Sequence, residues 1–209
     1  MMLRFHRNTG YNIVLEEQGK IAQNVRSWYD AVVFSNRPLM VDETFLFEIQ
    51  DNEPKFAYQT LRCGVTLHNP KNGDLPQCLE PTLMEFRKSW VFIINKSVEQ
   101  PFGKYIFHPN PRSVHARVEK CKESNISKLS PALLKSKTAG CTSTGPGSRI
   151  ALHLTKEGSL YFVINGIQYG PSVENIPVGN NGVFVVMDLH QTTQKIKIIN
   201  AHGRLASII

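Results

Sequence analysis

Apolar and polar positions alternate with a period of two along most of the chain, the mark of half-buried β-strands. Ala31, Val33 and Ser35 alternate with Val32 and Phe34; after a polar turn containing Arg37-Pro38, Phe45, Phe47 and Ile49 alternate with Leu46 and Glu48. Both stretches are apolar on more than one face, as expected of strands packed inside a sandwich. The pattern reads them as a central hairpin. Leu3–His6 and Asn12–Glu16 read as short strands around the turn Arg7-Asn8-Thr9-Gly10, and Ile21–Ser27 as the next strand after Gln18-Gly19-Lys20.

Further along, Phe56–Leu67 reads as a long strand, and Trp90–Ile94 (WVFII) as a buried central one. Pro81 suits a first-turn position, so Leu79–Lys88 is expected to form one or two helical turns. Gly158–Gly170 is the clearest hairpin: Leu160, Phe162 and Ile164 alternate up to Asn165-Gly166, which tolerates the positive φ of a type I′ turn. Arg149–Thr155 precedes it as a strand, and Pro171–Val178 follows as a loop. Val183–Leu189 and Lys195–Ile199 are expected to pair antiparallel through His190–Gln194. With turn residues about every eight to twelve positions, the fold expected over Leu3–Ile199 is all-β, an antiparallel sandwich of two sheets.

Between Lys96 and Ser148 the pattern breaks down. The segment is rich in lysine and arginine and holds Pro101, Pro109, Pro111, Pro131 and Pro146, and Thr138–Ser148 has the composition of a flexible loop. Strands resume directly after it, and the first half alone lacks its closing strands. It is therefore read as a long basic insertion (96–148) in a single domain of residues 1–200, followed by a tail at 201–209.

Composition narrows the class. At 209 residues and 41% apolar, the chain is large enough for a sizeable core. No run approaches the roughly eighteen consecutive apolar residues of a membrane span, and the basic start MMLRFHRN lacks the apolar stretch of a signal peptide. A soluble cytoplasmic or nuclear protein is expected. Cys63, Cys78, Cys121 and Cys141 show no CxxC spacing, which argues against a structural zinc site and for reduced thiols. The net charge of +7 is concentrated in the insertion, so it speaks for a solvated basic segment rather than a nucleic-acid surface.

Catalytic patterns are absent from the sequence. The seven histidines fall in no HExxH-like spacing, and no GxSxG, P-loop or GxGxxG occurs. Cys63 sits in a strand pattern, where a structural thiol is expected; Asp188-Leu189-His190 ends a strand and reads as a satisfied loop. No metal or cofactor is expected. An enzyme with an unfamiliar site stays open as a further class.

A family resemblance is carried by Phe34-Ser35-Asn36-Arg37-Pro38-Leu39 after the Ala31–Val33 strand. This turn resembles the neuralized homology repeat, a β-sandwich similar to SPRY domains. Leu3-Arg4-Phe5-His6, Gly10-Tyr11-Asn12-Ile13, Leu61–Thr66, Leu160–Gly170 and Val183–Leu189 extend the resemblance in the family's order. One departure is that Phe56 and Tyr58 stand where relatives usually carry a tryptophan before a strand. An insertion after a tryptophan-led strand resembles relatives that end in a SOCS box.

The resemblance implies a protein-interaction domain, not an enzyme, that recognises substrate proteins or peptides for ubiquitination. In such relatives a SOCS box engages elongins B and C and a cullin. The sequence ends at Ile209 without room for that box of about forty residues, so either the chain is a truncated piece or this member lacks the box, and these ligase partners are expected only through such a box. An adaptor binding anionic lipid or phosphoinositide through the basic insertion is the alternative. The similarity to peptide-binding SPRY domains implies a site in the loop after the first strand (Arg7, Asn8, Thr9) and the loop before the last (His190, Gln191, Thr192). Arg7 offers two parallel donors, Asn8, Gln191 and Thr192 can pair with peptide amides, and Tyr29 can supply an aromatic wall beside Trp28, which is expected in the core. Counting strands places Arg7–Gly10, Trp28–Asp30 and Asp51–Phe56 at one end. The other reading of these positions is ordinary solvated turns.

Overall fold

The computed structural model describes residues 2–25, 29–52, 60–73, 75–76, 89–95, 145–179, 182–189 and 193–199. Among them lie strands β1 (Ile13–Glu16), β2 (Ile21–Asn24), β3 (Val32–Phe34), β4 (Thr44–Asn52), β5 (Thr60–Thr66), β6 (Ser89–Asn95), β7 (Arg149–Leu154), β8 (Leu160–Ile164), β9 (Ile167–Val173), β10 (Phe184–Asp188) and β11 (Thr193–Ile198). They form a seven-stranded sheet in the order β1-β2-β11-β4-β7-β8-β9 and a four-stranded sheet in the order β3-β10-β5-β6. Each neighbouring pair is antiparallel. The Leu79–Lys88 helical turns, Trp28 and most of the 96–148 insertion lie outside the described residues.

The alternation of the sequence becomes the core. Phe45, Phe47 and Ile49 on β4, Ile150, Leu152 and Leu154 on β7, and Leu160 and Phe162 on β8 all face Leu61, Cys63 and Val65 on β5 and Phe92 and Ile94 on β6, in one buried cluster. The rings of Phe92 and Phe162 meet edge to face across the two sheets, with centroids 5.4 Å apart. Burying each such side chain contributes about 1.5–3 kcal/mol, so this layer is the main favourable term of the fold. At the β8–β9 turn, Asn165 (φ 50°) and Gly166 (φ 87°) take the positive φ values that Asn-Gly allows.

Several connections differ from the pattern reading. β3 and β4 are not a hairpin: they lie in different sheets, and residues 35–43 cross between them. Ser35 Oγ accepts from Val185 N–H (3.0 Å), and Leu39 bridges Val183, so the crossing is pinned to β10 rather than folded back on β3. β10 and β11 likewise belong to different sheets, β10 beside β3 and β5, β11 between β2 and β4. Period-two alternation is the same whether the next strand pairs with its predecessor or faces it, which is why these crossings are invisible in it.

β6 lies at the edge of its sheet among the described residues, not at the centre. Its continuous apolar run has a different cause: Phe92 and Ile94 enter the main core, while Val91 packs on the outer face with Val32, Phe34, Phe184 and Val186. That outer face is covered by the segment after β5, where the His68 ring stands 6.0 Å from Phe34 and Leu75 joins the cluster. The expected loop at Pro171 is instead the continuation of β9 to Val173. β9 is an edge strand among the described residues, where a proline's missing N–H costs no ladder bond. β2 stops at Asn24, short of the expected Ser27. Leu3–His6 makes a single antiparallel bridge, Phe5 to Ser35, rather than a strand, and Phe5 N–H donates on its other side to Gly19 O (2.7 Å).

Candidate functional site

The first segment runs along the free side of β3 and swells outward where the site was expected. His6 N–H donates to Phe34 O (2.8 Å) and Gly10 N–H to Val32 O (2.9 Å), so Arg7, Asn8 and Thr9 loop out opposite Val33 alone. Gly10 makes this closure possible: a Cβ there would lie 2.1 Å from Asp30 O. Asn8 is partly committed to the fold. Its Nδ2 donates to Pro70 O (2.8 Å), and its N–H to His6 Nδ1 (3.0 Å). Burial lowers the pKa of His6, which suits a neutral imidazole accepting that bond, and the Lys71 ammonium acts in the same direction. Arg7 is exposed, and Thr9 is half-buried.

Asn12 draws the next elements together. Its N–H donates to Asp30 O (3.0 Å), its carbonyl accepts from Val25 N–H (2.9 Å), and its side-chain amide donates to Tyr29 O (2.6 Å). Tyr29 is 62% exposed. Leu189, at the end of β10, donates its N–H to Ala31 O (3.0 Å) and accepts from Asn24 Nδ2 (2.7 Å), and Thr193 pairs with Asn52. Leu189 and the segment from Tyr29 to Ala31 thus meet at one end of β3, while Arg7–Thr9 bulge beside Val33 and reach Pro70; His190, Gln191 and Thr192 themselves lie outside the described residues. The pattern reading overlooked Asn12, Tyr11 and Val25, whose association depends on segments that meet only in the fold.

The opposite end is built on Asn36-Arg37. Asn36 Oδ1 accepts from Arg4 N–H (3.0 Å), and Arg37 forms a two-pronged ion pair with Glu43 (2.6 Å). In the core, burial pushes the Cys63 thiol pKa far up, which leaves it protonated and unsuited to nucleophilic attack. Among the described residues no three His, Cys, Asp or Glu side chains cluster as metal ligands would, and no helix is long and apolar enough to cross a membrane. What this geometry offers a ligand is hydrogen-bonding loops and exposed rings on a rigid double sheet.

Comparison with known proteins matches the chain to the Neuralized family model over residues 5–200. Neuralized-like protein 2 of Mus musculus is 24% identical over 229 aligned residues, spanning 98% of this chain and 80% of the relative. The crystal structure of the Drosophila melanogaster neuralized NHR1 domain superposes with a TM-score of 0.66 at 17% identity, covering 96% of this chain and 99% of that one. The SPRY domain of human HERC1 superposes with a TM-score of 0.52 at 13% identity, covering 96% and 99%. The two solved structures share the fold.

Proposed function

The chain belongs to the Neuralized family, and from that premise we propose that its sandwich is a protein-interaction module that recognises substrate proteins for a ubiquitin ligase. The observation that carries the reading is the family match over residues 5–200. The geometry supports it: the double sheet carries an outward loop with Arg7 exposed and a second segment with Tyr29 62% exposed, and recognition by loops on a fixed scaffold is the usual division of labour in such folds. Arg7, Asn8, Thr9 and Tyr29, with His190, Gln191 and Thr192, are the proposed contacts for a segment of the substrate. Elongins B and C and a cullin are the proposed ligase partners, engaged by a SOCS box outside the sandwich.

The test compares wild type with Arg7→Ala and with a Gln191→Ala/Thr192→Ala pair, all tagged in cells, by crosslinked capture, mass spectrometry and ubiquitin-remnant profiling. Proteins captured by wild type and losing ubiquitin remnants on its depletion are the expected substrates, and both variants should lose them while keeping the wild-type melting temperature. Full capture by both folded variants places the contacts elsewhere on the sandwich. Co-purification of elongins B and C with the full-length protein tests the ligase class, and their absence overturns it.

A further inference from the structure

Asparagine followed by glycine occurs three times in the chain, at Asn72-Gly73, Asn165-Gly166 and Asn181-Gly182. The pair carries its own chemistry: glycine has no side chain to shield its backbone nitrogen, which can close on the amide carbon of the asparagine before it. Whether it does so depends on what holds the amide. Asn181 lies outside the described residues, and the fold treats the other two pairs in opposite ways.

Asn165 is held. In the tight β8–β9 turn its Oδ1 accepts Arg149 N–H (2.9 Å) and its own N–H donates to Arg149 O (2.8 Å), so the half-buried amide is bound to β7. Swinging onto Gly166 would break that bond. Asn72 stands in the opposite situation. Residues 71–73 are exposed, and Asn72 N–H donates to Asn69 O (2.9 Å), but among the described residues the Asn72 side chain takes no hydrogen bond. Gly73 has φ 112°, and a Cβ there would meet no described atom within 4 Å, so water and the neighbouring amide both have access to it. Asn69, three residues earlier, is doubly protected: its Oδ1 accepts Lys71 N–H (3.0 Å), and Pro70 after it has no N–H to lose.

We propose that the fold leaves Asn72 as a site of spontaneous deamidation, converted through a succinimide to an isoaspartyl or aspartyl residue, while it spares Asn165. The Gly73 nitrogen forms a bond to Asn72 Cγ, the Cγ–Nδ2 bond breaks, and ammonia leaves with the proton that Gly73 gives up. Water then opens the ring. Attack at Cγ restores the original main chain with a side-chain carboxylate, whereas attack at the main-chain carbonyl carbon routes the chain through Cβ and Cγ and leaves a free α-carboxylate. Water is the only co-reactant, and nothing is oxidised or reduced.

The position gives the conversion a structural reach. Asn8 Nδ2 donates to Pro70 O (2.8 Å) and more weakly to Gly73 O (3.5 Å), so the Arg7–Thr9 bulge is fastened on both sides of residue 72. The isoaspartyl form puts an extra methylene in the main chain between these two carbonyls and a negative charge beside Lys71, and the bulge loses its double anchor. The bearing of this change on substrate contact rests on the reading that assigns that contact to the bulge; the conversion itself does not.

The experiment ages the purified 209-residue chain in mildly alkaline buffer, with and without urea, and maps its peptides by mass spectrometry after digestion in acid. In the folded chain position 72 should convert at least about tenfold faster than position 165, a barrier difference of at least about 1.4 kcal/mol. In urea the two rates should approach each other, since the Arg149 bond is gone. Equal rates in the folded chain, or faster conversion at 165, overturn the proposal. A ratio that persists unchanged in urea also overturns it, because the selection would then come from flanking residues and not from the fold. Aged wild type should lose amide protection at Asn8 and Gly10 relative to aged Asn72→Gln, whose longer side chain closes the ring far more slowly. Equal protection in the two overturns the loss of the anchor.

Discussion

Arg37 grips Glu43 with both prongs of its guanidinium, Nη1 on Oε2 at 2.7 Å and Nη2 on Oε1 at 2.6 Å. The same carboxylate accepts Met40 N–H at 3.0 Å, and Asp42 N–H reaches Leu154 O at 2.8 Å. These bonds fix the crossing between β3 and β4, one of the connections that commit consecutive strands to opposite sheets. The Arg-Pro turn that carries the family resemblance is therefore a structural clamp.

Removing one half of this pair should cost stability. With side chains 20% and 26% exposed, the two-pronged bond is partly screened, so Glu43→Gln is expected to cost about 1–2 kcal/mol in urea unfolding. Burial alone would raise the Glu43 pKa, but the Arg37 and Met40 bonds outweigh it and hold the carboxyl below its ordinary value. A depressed folded-state pKa contributes stability that is present above the unfolded value and lost as pH falls through the folded one. Wild type should therefore lose its margin over Glu43→Gln below about pH 4. A margin unchanged down to pH 3 would refute this assignment.

Phe162 is fully buried and sets its ring against Phe92 between the sheets. Phe34 is equally buried but sits in the small outer cluster. Emptying either site is expected to cost roughly 3–5 kcal/mol, read from chemical denaturation of Phe162→Ala and Phe34→Ala. Melting temperatures equal to wild type would contradict the packing described for these rings.

Gly64 leaves room for no side chain. A Cβ there would stand 1.9 Å from Trp90 O, on the partner strand β6. The obstacle is backbone and cannot rotate away, so Gly64→Ala should force β5 and β6 apart. A loss of about 3 kcal/mol is expected, with faster amide exchange along Trp90–Ile94. Protection there equal to wild type would show that the strands accommodate the methyl group.

What the sequence made legible was local. Asn165-Gly166 announced its hairpin because positive φ at two successive residues is a requirement of the turn itself, and the alternation of β4 and β8 marked core residues before any contact was known. Which strand lies beside which is decided by anchors distant in the chain, such as Leu39 on Val183, Leu189 on Ala31 and Thr193 on Asn52. The site divides the same way. Arg7–Thr9 was visible as a polar turn, whereas the exposed Tyr11 corner depends on Asn12 meeting residues 25 and 29–30, which no periodicity expresses.

Arg7 and Asn8 are adjacent in one outward bulge, yet the fold treats them differently, and two single substitutions should separate them. Asn8 donates to Pro70 O at 2.8 Å and so stitches the bulge to the segment that covers the outer face of the four-stranded sheet. Replacing it leaves that carbonyl to water, and Asn8→Ala is expected to cost about 1 kcal/mol and to loosen residues 67–73 in amide exchange. Arg7 is exposed and adds nothing comparable to the fold. Arg7→Ala should therefore melt with wild type, within about 0.5 kcal/mol, as surface substitutions usually do. Its effect should appear only in capture of substrate, where an arginine able to give two parallel bonds is a frequent anchor. If Arg7→Ala destabilised the domain as much as Asn8→Ala, the arginine would be part of the scaffold. If instead Asn8→Ala alone weakened capture, recognition would depend on the shape of the bulge rather than on the guanidinium it displays.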